Sequence, residues 1–187
     1  MGDSLNANRE GLSLRLMFQD EARFGRITDP RSCGAPVPFR PVVDLALIRE
    51  YVYEYAAVSP QDGVLDFMTS ETMDTDNMNR FLLQVRNAHP KDFIVMVLDG
   101  ASSHKRKDLK IPEHMSLILL PPYSPELNPA ESLWNILRRD FFANRVFDSL
   151  KIAVEQVKKS LSVLASNKEA LSSLTYWPLI STSLNAI

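Results

Sequence analysis

The chain has 187 residues, of which 45% are hydrophobic and 24% are charged, and its formal net charge is −2. This composition indicates one globular domain and argues against a dedicated nucleic-acid-binding module, which is usually basic. The single cysteine, Cys33, excludes an internal disulfide framework and a cysteine zinc cluster, so we expect it to be a small apolar filler. No apolar run reaches the ~20 residues of a membrane span, and we expect a cytoplasmic protein without a membrane partner.

The first half of the chain is predicted to consist mainly of strands. Aromatic and β-branched residues favour a pleated surface, whereas clusters of glycine and proline mark turns and loops. In chain order we predict a flexible leader at 1–13, a buried strand over Leu14–Gln19, a loop over Gly25–Pro41, one or two antiparallel strands within Val42–Val58, a turn at Ser59–Gly63 and a strand over Val64–Thr69.

In the second half, helical periodicity alternates with short apolar runs. Either Asp74 or Thr75 can cap a helix that ends near Ala88. The pattern predicts an α/β fold, a mixed sheet flanked by helices, within one domain at 14–175. The remaining predicted elements are strands over Phe93–Leu98 and Met115–Leu120, helices over Pro129–Asn144, Ser149–Ala165 and Lys168–Leu174, and a tail at 176–187.

Three acidic residues occupy rigid positions in this scheme. Asp20 and Asp99 each follow an apolar run, and Glu131 falls in the first turn of a helix behind a proline-rich turn, with Asn128 as candidate cap. Carboxylates on rigid supports can hold a pair of hard divalent cations, and such a pair supports phosphodiester cleavage and joining. Each acid also has a plainer interpretation, because an Asp before Gly is commonly a turn residue and a first-turn Glu a solvated capping residue.

Glu21, the acidic neighbour of Asp20, cannot serve equally as a metal ligand. Adjacent strand residues point to opposite faces, and Asp20 shares its face with the apolar residues Leu16 and Phe18. We therefore assign Asp20, rather than Glu21, to the face of the strand that would hold the metal ions, although both faces are predicted to be buried.

Several basic residues near these acids are candidate phosphate contacts, although such residues are more often part of a solvated face. His104, five residues after Asp99, could orient a phosphate or the attacking water, or cap the next helix. Trp134 is expected to be a core residue rather than a base-stacking one. The candidate DNA-binding residues are Arg23, Arg26, His104, Lys105 and Arg138.

Three segments resemble the signature blocks of DDE transposases, specifically the bacterial insertion-sequence-630 group related to mariner elements. They read FQDEARFG at 18–25, VLDG at 97–100 with His104 beyond it, and LPPYSPELNPAESLW at 120–134. The third block is the most specific, because its prolines, Tyr, Asn, Glu and Trp occur in order and in register. The resemblance extends over most of 14–150.

This resemblance implies a ribonuclease-H-like fold with Asp20, Asp99 and Glu131 as catalytic metal ligands and Mg²⁺ or Mn²⁺ as cofactor. Water activated by one metal would cleave at the transposon ends, and the 3′-hydroxyl would then attack target DNA, typically at a TA dinucleotide. The partners implied are transposon and target DNA in a homodimeric, nucleoid-associated complex, together with a helix-turn-helix portion that reads the inverted repeats and would be separately encoded.

The sequence departs from the family pattern at two places and leaves two alternatives open. Relatives are expected to have Trp near Gly34 and an aromatic residue at the position of Ser103. These departures motivate an inactive, domesticated transposase remnant as one alternative. The other alternative is a ribonuclease-H-like nuclease or resolvase that cleaves without strand transfer.

Overall fold

The computed structural model describes residues 11–32, 34–39, 41–99, 108–122 and 124–176. The leader up to residue 10, Cys33, the departure at Ser103 and the tail beyond 176 therefore lie outside the described residues. Within those ranges, the helices are too short or too polar to cross a bilayer.

The described part of the chain forms a five-stranded mixed sheet in the order β3-β2-β1-β4-β5. The first three strands are antiparallel neighbours, and β4 and β5 run parallel to β1. This arrangement confirms the predicted α/β fold with a mixed sheet. The strands are β1 (Ser13–Ile27), β2 (Leu47–Ser59), β3 (Val64–Ser70), β4 (Asp92–Leu98) and β5 (Met115–Leu119).

In the described residues, four α-helices cover the sheet: α1 (Thr75–Ala88), α2 (Ala130–Ile136), α3 (Leu150–Ser166) and α4 (Lys168–Thr175). Of the two candidate caps for α1, Asp74 is the one used, since its side chain accepts a hydrogen bond from the backbone N–H of Asn77. Ser149 caps α3 in the same way. Helix α2 continues without interruption into a π-helical segment, Leu137–Phe142.

The sheet has an apolar core on each face. One core lies under α1 and includes Met17, Tyr55, Phe81 and Met96. The other lies under α2, α3 and α4 and includes Phe18, Phe24, Trp134, Leu137, Val157 and Leu161. Because side chains alternate along β1, consecutive residues of this strand contribute to opposite cores.

Strand β1 is longer than the sequence indicates. It continues through Gly25 to Ile27, so the loop predicted over Gly25–Pro41 begins only after Ile27, and Asp20 lies in the middle of the strand rather than at its exit. Gly25 allows a close approach rather than a turn, because an added Cβ would lie 2.0 Å from the backbone oxygen of Glu50 on β2. The region predicted as one or two strands from Val42 holds a single strand, β2, which begins later.

The helix predicted to run to Asn144 ends earlier. Its π-helical segment stops at Phe142, and Asn144 adopts a left-handed backbone with φ of 56°. Asn144 is held there by the chain that follows β1: its N–H donates to the carbonyl of Asp29, and its side-chain oxygen accepts from the N–H of Arg31. A contact distant in sequence thus ends the helix, which local periodicity could not indicate.

Gly63, in the turn between β2 and β3, provides a test of this packing. Its φ is +65°, and an added Cβ would lie 1.8 Å from the carbonyl oxygen of Lys168 at the start of α4. Gly63→Ala should therefore lower the free energy of unfolding by about 3 kcal/mol, part from backbone strain and part from displacement of α4. Gly11→Ala is the matched control, because Gly11 has φ +81° but open space, and should cost only about 1 kcal/mol. Urea unfolding measures both, and equal losses would contradict the contact with α4.

Candidate active site

Asp20 lies where the sheet changes from parallel to antiparallel pairing. The last parallel pair between β1 and β4 is Phe18 with Val97, whereas Asp20 pairs with Ala56 of β2 on its other side. Extending the parallel register by two residues would bring Asp20 level with Asp99, the first residue after β4. At Asp20, β1 is therefore hydrogen-bonded to β2 on one side, whereas its pairing with β4 on the other side has already ended.

The side chain of Asp20 projects to the face covered by α2, α3 and α4. Its alternate neighbours Phe18 and Ala22 belong to the core on that face. Glu21, which pairs with Tyr55, is directed to the opposite face by the alternation of the strand. Asp20 is only 8% exposed.

Trp134 of helix α2 holds the Asp20 carboxylate. The indole Nε1–H donates a hydrogen bond of 2.8 Å to Oδ2 of Asp20. The indole is 1% exposed and packs at 5.8 Å from the ring of Phe24. Trp134 therefore belongs to the core, as the sequence predicts. Its hydrogen bond to Asp20 is not among the sequence-based predictions. The only sequence signal for this bond is the position of Trp134 three residues after Glu131, on the same side of a helix.

Asn128 fixes the start of helix α2 against β1. Its Oδ1 accepts from the backbone N–H of Ala130, and its Nδ2 donates to the carbonyl of Gln19, the residue before Asp20. The helix begins at Ala130 with Pro129 at its N-cap, so the prediction of Asn128 as cap and Pro129 as first helical residue is one residue early. Asn128 nevertheless supplies the acceptor for the first helical N–H. One buried amide joins the two elements that support Asp20 and Glu131.

Glu131 lies in the first turn of α2 and is half-buried. It borders an open cleft of about 330 Å³, whose wall is completed by Ser132, Asn135 and the end of α4 at Thr175 and Tyr176. The cleft gives solvent, and any bound ligand, access to this acid. An acidic side chain in a first helical turn is also favoured by the helix dipole.

The ionised form of Asp20 is unfavourable without a nearby positive charge, because the carboxylate is buried and the charge of Glu131 repels it. Burial, and next the negative charge of Glu131, raise the pKa of Asp20 to about 7, with a smaller contribution from Glu21. Hydrogen bonds from the backbone of Glu21 and from Trp134 oppose this shift without cancelling it. Carboxylate oxygens are the donors that Mg²⁺ and Mn²⁺ prefer, and a bound cation would remove the repulsion, so these two residues fit such an ion.

Asp99 is exposed immediately after β4. Glu131 is near enough for its charge to raise the pKa of Asp20. The described ranges hold no ready metal site, however, because no three His, Cys, Asp or Glu side chains in them lie close enough to hold one ion. The assignment of Asp99 as the third ligand therefore stays a prediction, and Gly100, which follows it, lies outside the described residues.

The residues predicted to contact DNA lie in different parts of the structure. Arg23 lies over the ring of Tyr51, on the strand face opposite Asp20, and Arg26 donates to the carbonyl of Phe147 and pairs with Glu50 at 3.0 Å. Neither is gathered beside the acids. Arg138 lies over the ring of Phe24, on the same side of the sheet as Asp20. His104 and Lys105 lie outside the described residues.

The chain resembles known proteins in sequence and in fold. A family described as DDE superfamily endonuclease matches residues 15–152. "Uncharacterized protein y4pE/y4sA" of Sinorhizobium fredii (strain NBRC 101917 / NGR234) is 35% identical over 98 residues, which are 52% of this chain and 73% of that protein.

Two solved structures share the fold at low sequence identity. The Mos1 strand transfer complex has a TM-score of 0.58 at 16% identity, covering 94% of this chain and 60% of that chain. The Mos1 mariner paired end complex with Mn has a TM-score of 0.57 at 16% identity, with the same coverage. The chain thus spans about 60% of the length of Mos1, and this likeness confirms the ribonuclease-H-like sheet expected from the sequence.

The family match covers well over half of the chain and includes Asp20, Asp99, Glu131 and Trp134. Its extent agrees with the sheet and with the helices that support the acidic pair. The chain belongs to the DDE superfamily endonucleases.

Proposed function

We propose that this chain is the catalytic domain of a transposase, which cleaves DNA at transposon ends and joins the 3′ ends to target DNA. The observation that supports the proposal is the buried Asp20 carboxylate with a second acid, Glu131, beside it. Holding a second negative charge near a buried carboxylate is unfavourable unless a cation is bound, and Glu131 lines an open cleft through which a divalent cation could enter. Membership of the endonuclease family and the Mos1-like fold support the same reaction class.

In this proposal Asp20, Asp99 and Glu131 hold two Mg²⁺ or Mn²⁺ ions. When bound, the ions supply charge neutralisation at the phosphate and an activated water or 3′-hydroxyl. The protein binds and orients: Trp134 and Asn128 fix the acids, and no side chain forms a covalent intermediate. The choice of cation is supported by the Mos1 paired end complexes with Mn and with Mg.

The partners proposed are transposon-end and target DNA, a second copy of the chain and a separately encoded helix-turn-helix portion. A homodimer would hold two transposon ends together, and the Mos1 paired-end complexes support this arrangement. Arg138, which lies over the ring of Phe24 on the face of the sheet that carries Asp20, is proposed to meet a phosphate near the acids. Arg23, Arg26, His104 and Lys105 stay proposed contacts.

Substitution of the acids tests the proposal. Asp20→Asn, Asp99→Asn and Glu131→Gln should each reduce Mn²⁺-dependent nicking of DNA carrying the element's ends by on the order of 10³-fold, since each removes several kcal/mol of metal-mediated stabilisation. Glu126→Gln is the matched control: it removes the same charge from an exposed residue lining the same cleft and should retain activity.

The assay uses the chain alone and with the proposed helix-turn-helix portion supplied. Nicking that is unaffected by Asp20→Asn, or absent under both conditions, would contradict the proposal. Strand transfer from precleaved ends separates a transposase from a ribonuclease-H-like nuclease, because the nuclease would cut without joining.

The pH dependence of stability gives a second test that needs no DNA. The pKa of Asp20 is raised from 3.8 to about 7 on folding, so its favourable contribution is complete below pH ~4 and is lost as the pH rises through 7. The loss amounts to roughly 4 kcal/mol, at about 1.4 kcal/mol for each pH unit. Asp20→Asn lacks this penalty and should be more stable than the wild type at pH 8, but not at pH 4.

Urea unfolding of both proteins without metal measures this difference. Glu54, whose pKa burial also raises to about 7, contributes to both proteins and therefore cancels in the comparison. Addition of Mn²⁺ at pH 8 should stabilise the wild type and leave Asp20→Asn nearly unchanged, because ligand binding stabilises only a folded state that binds it. A difference between the two proteins that does not vary with pH would contradict the charged, buried state of Asp20.

A further inference from the structure

We propose that Arg23, held on the ring of Tyr51, binds a backbone phosphate of the DNA at a place other than the cleavage site. Arg23, Arg49, Tyr51 and Tyr53 form this second contact, the ribbon surface. The inference rests on the proposed function, which makes DNA the substrate, and it adds a binding surface that the three acids do not supply.

The ribbon surface lies where β1 and β2 extend beyond the parallel part of the sheet. β4 pairs with β1 only as far as Phe18, whereas β2 accompanies β1 to Ile27. Arg23 projects to the face opposite Asp20, because three positions separate the two residues and side chains alternate along a strand. Both Arg23 and Tyr51 are exposed. The phosphate that Arg23 meets is therefore not the one that the acids would cleave.

Arg23 keeps a charge that no carboxylate balances, unlike four other arginines in the described residues. Arg15, Arg26, Arg31 and Arg139 each form an ion pair with an aspartate or a glutamate. Within the same ranges no ion pair involves Arg23, whose guanidinium carbon instead lies 5.3 Å from the centre of the Tyr51 ring. A tyrosine ring attracts a cation without neutralising it, so the charge remains available to an anion.

The two tyrosines hold the guanidinium in place. The rings of Tyr51 and Tyr53 meet edge to face with centroids 5.7 Å apart, and Tyr53 is half-buried against the core under α1. A free arginine side chain loses conformational entropy when it binds a ligand, whereas one that is already stacked loses less. Its N–H groups lie in one plane and match the oxygens of a phosphate. Arg23 is thus prepared to bind a phosphate.

Charge complementarity favours the DNA backbone as the ligand. Arg49 lies two positions before Tyr51, on the same face of β2, and is exposed, so a second cation flanks the ring. The acid on this face of β1, Glu21, lies towards the core beside Tyr55 and is half-buried. A duplex presents its phosphates in a regular row, and contacts with them raise affinity without reading sequence. The ribbon surface therefore contributes to DNA affinity rather than to the choice of site.

Replacement of Arg23 tests the contact. Arg23→Gln should weaken binding of a fluorescein-labelled duplex carrying the element's end about tenfold, because a charged hydrogen bond to a phosphate is lost. The slope of log affinity against log salt concentration should fall by about 1, the share of one neutralised phosphate. Fluorescence anisotropy at a series of KCl concentrations, without divalent cations so that no DNA is cleaved, measures both quantities.

Arg80→Gln is the matched control. It removes the same charge from an exposed residue of α1, on the same side of the sheet, whose guanidinium donates to Oδ1 of Asn77. The salt slope should be nearly unchanged in this variant. An equal fall in the slope for Arg23→Gln and Arg80→Gln would show a diffuse effect of net charge and would overturn the inference.

Two variants of Tyr51 separate positioning of the arginine from packing. Tyr51→Leu should weaken DNA binding about threefold, the value of a cation–π contact at an exposed site, whereas Tyr51→Phe keeps the ring and should bind nearly as the wild type does. In the Arg23→Gln protein, Tyr51→Leu should have no further effect, since the tyrosine acts through the arginine. The same loss from Tyr51→Leu in both backgrounds contradicts this positioning role.

Kinetics distinguish this inference from the proposed function. Arg23→Gln should raise the KM of Mn²⁺-dependent nicking and leave kcat unchanged, since Arg23 does not reach the cleaved phosphate. Nicking that depends on Asp20, in a protein whose DNA affinity is insensitive to Arg23, refutes the ribbon surface alone. Nicking that does not depend on Asp20 refutes the proposed function, while the salt slope still decides whether Arg23 binds a phosphate. A wild-type protein that does not bind the duplex refutes both.

Discussion

The structure depends on one unfavourable element, a carboxylate held inside the protein. Asp20 is buried in the middle of β1, where desolvation and Glu131 oppose its charge. Two hydrogen bonds hold it in place. The indole of Trp134 donates to the Asp20 carboxylate, and the amide of Asn128 donates to the carbonyl of Gln19, the residue before it. Both side chains come from one short stretch around the start of α2, so the same stretch that brings Glu131 to the site also orients Asp20.

The sheet topology explains why this position is open to a ligand. β4 runs beside β1 only as far as Phe18, whereas β2 continues alongside it to Gly25 and beyond. The pairing between β1 and β4 therefore ends next to Asp20, at the carboxyl end of the parallel strand β4. The extension of β1 past this gap is held by β2 and by Arg26, which reaches the carbonyl of Phe147, and it gives the strand rigidity where pairing on one side has ended.

Burial of an acid does not by itself mark a site in this protein. Glu54 lies on β2 on the same face of the sheet, and burial raises its pKa to about 7 as well. Its carboxylate accepts a hydrogen bond from Thr69 and is stabilised by the charge of Lys158 on α3. The charge of Glu131 instead acts on Asp20, and Glu131 lines an open cleft. This combination is what supports the proposed cation site at Asp20 rather than a structural role.

The sequence alone determined the type and order of the elements, since alternation and helical periodicity are local properties, and it identified Asp20, Asp99 and Glu131 as candidates. Tertiary structure decided how far β1 extends, because pairing with β2 outweighs the loop signal of Gly25. It also decided where the π-helical segment after α2 ends, through Asn144 and Asp29. The bond from Trp134 to Asp20 spans 114 positions, and no local pattern specifies it: only the packing of α2 against the sheet brings the donor to the acceptor.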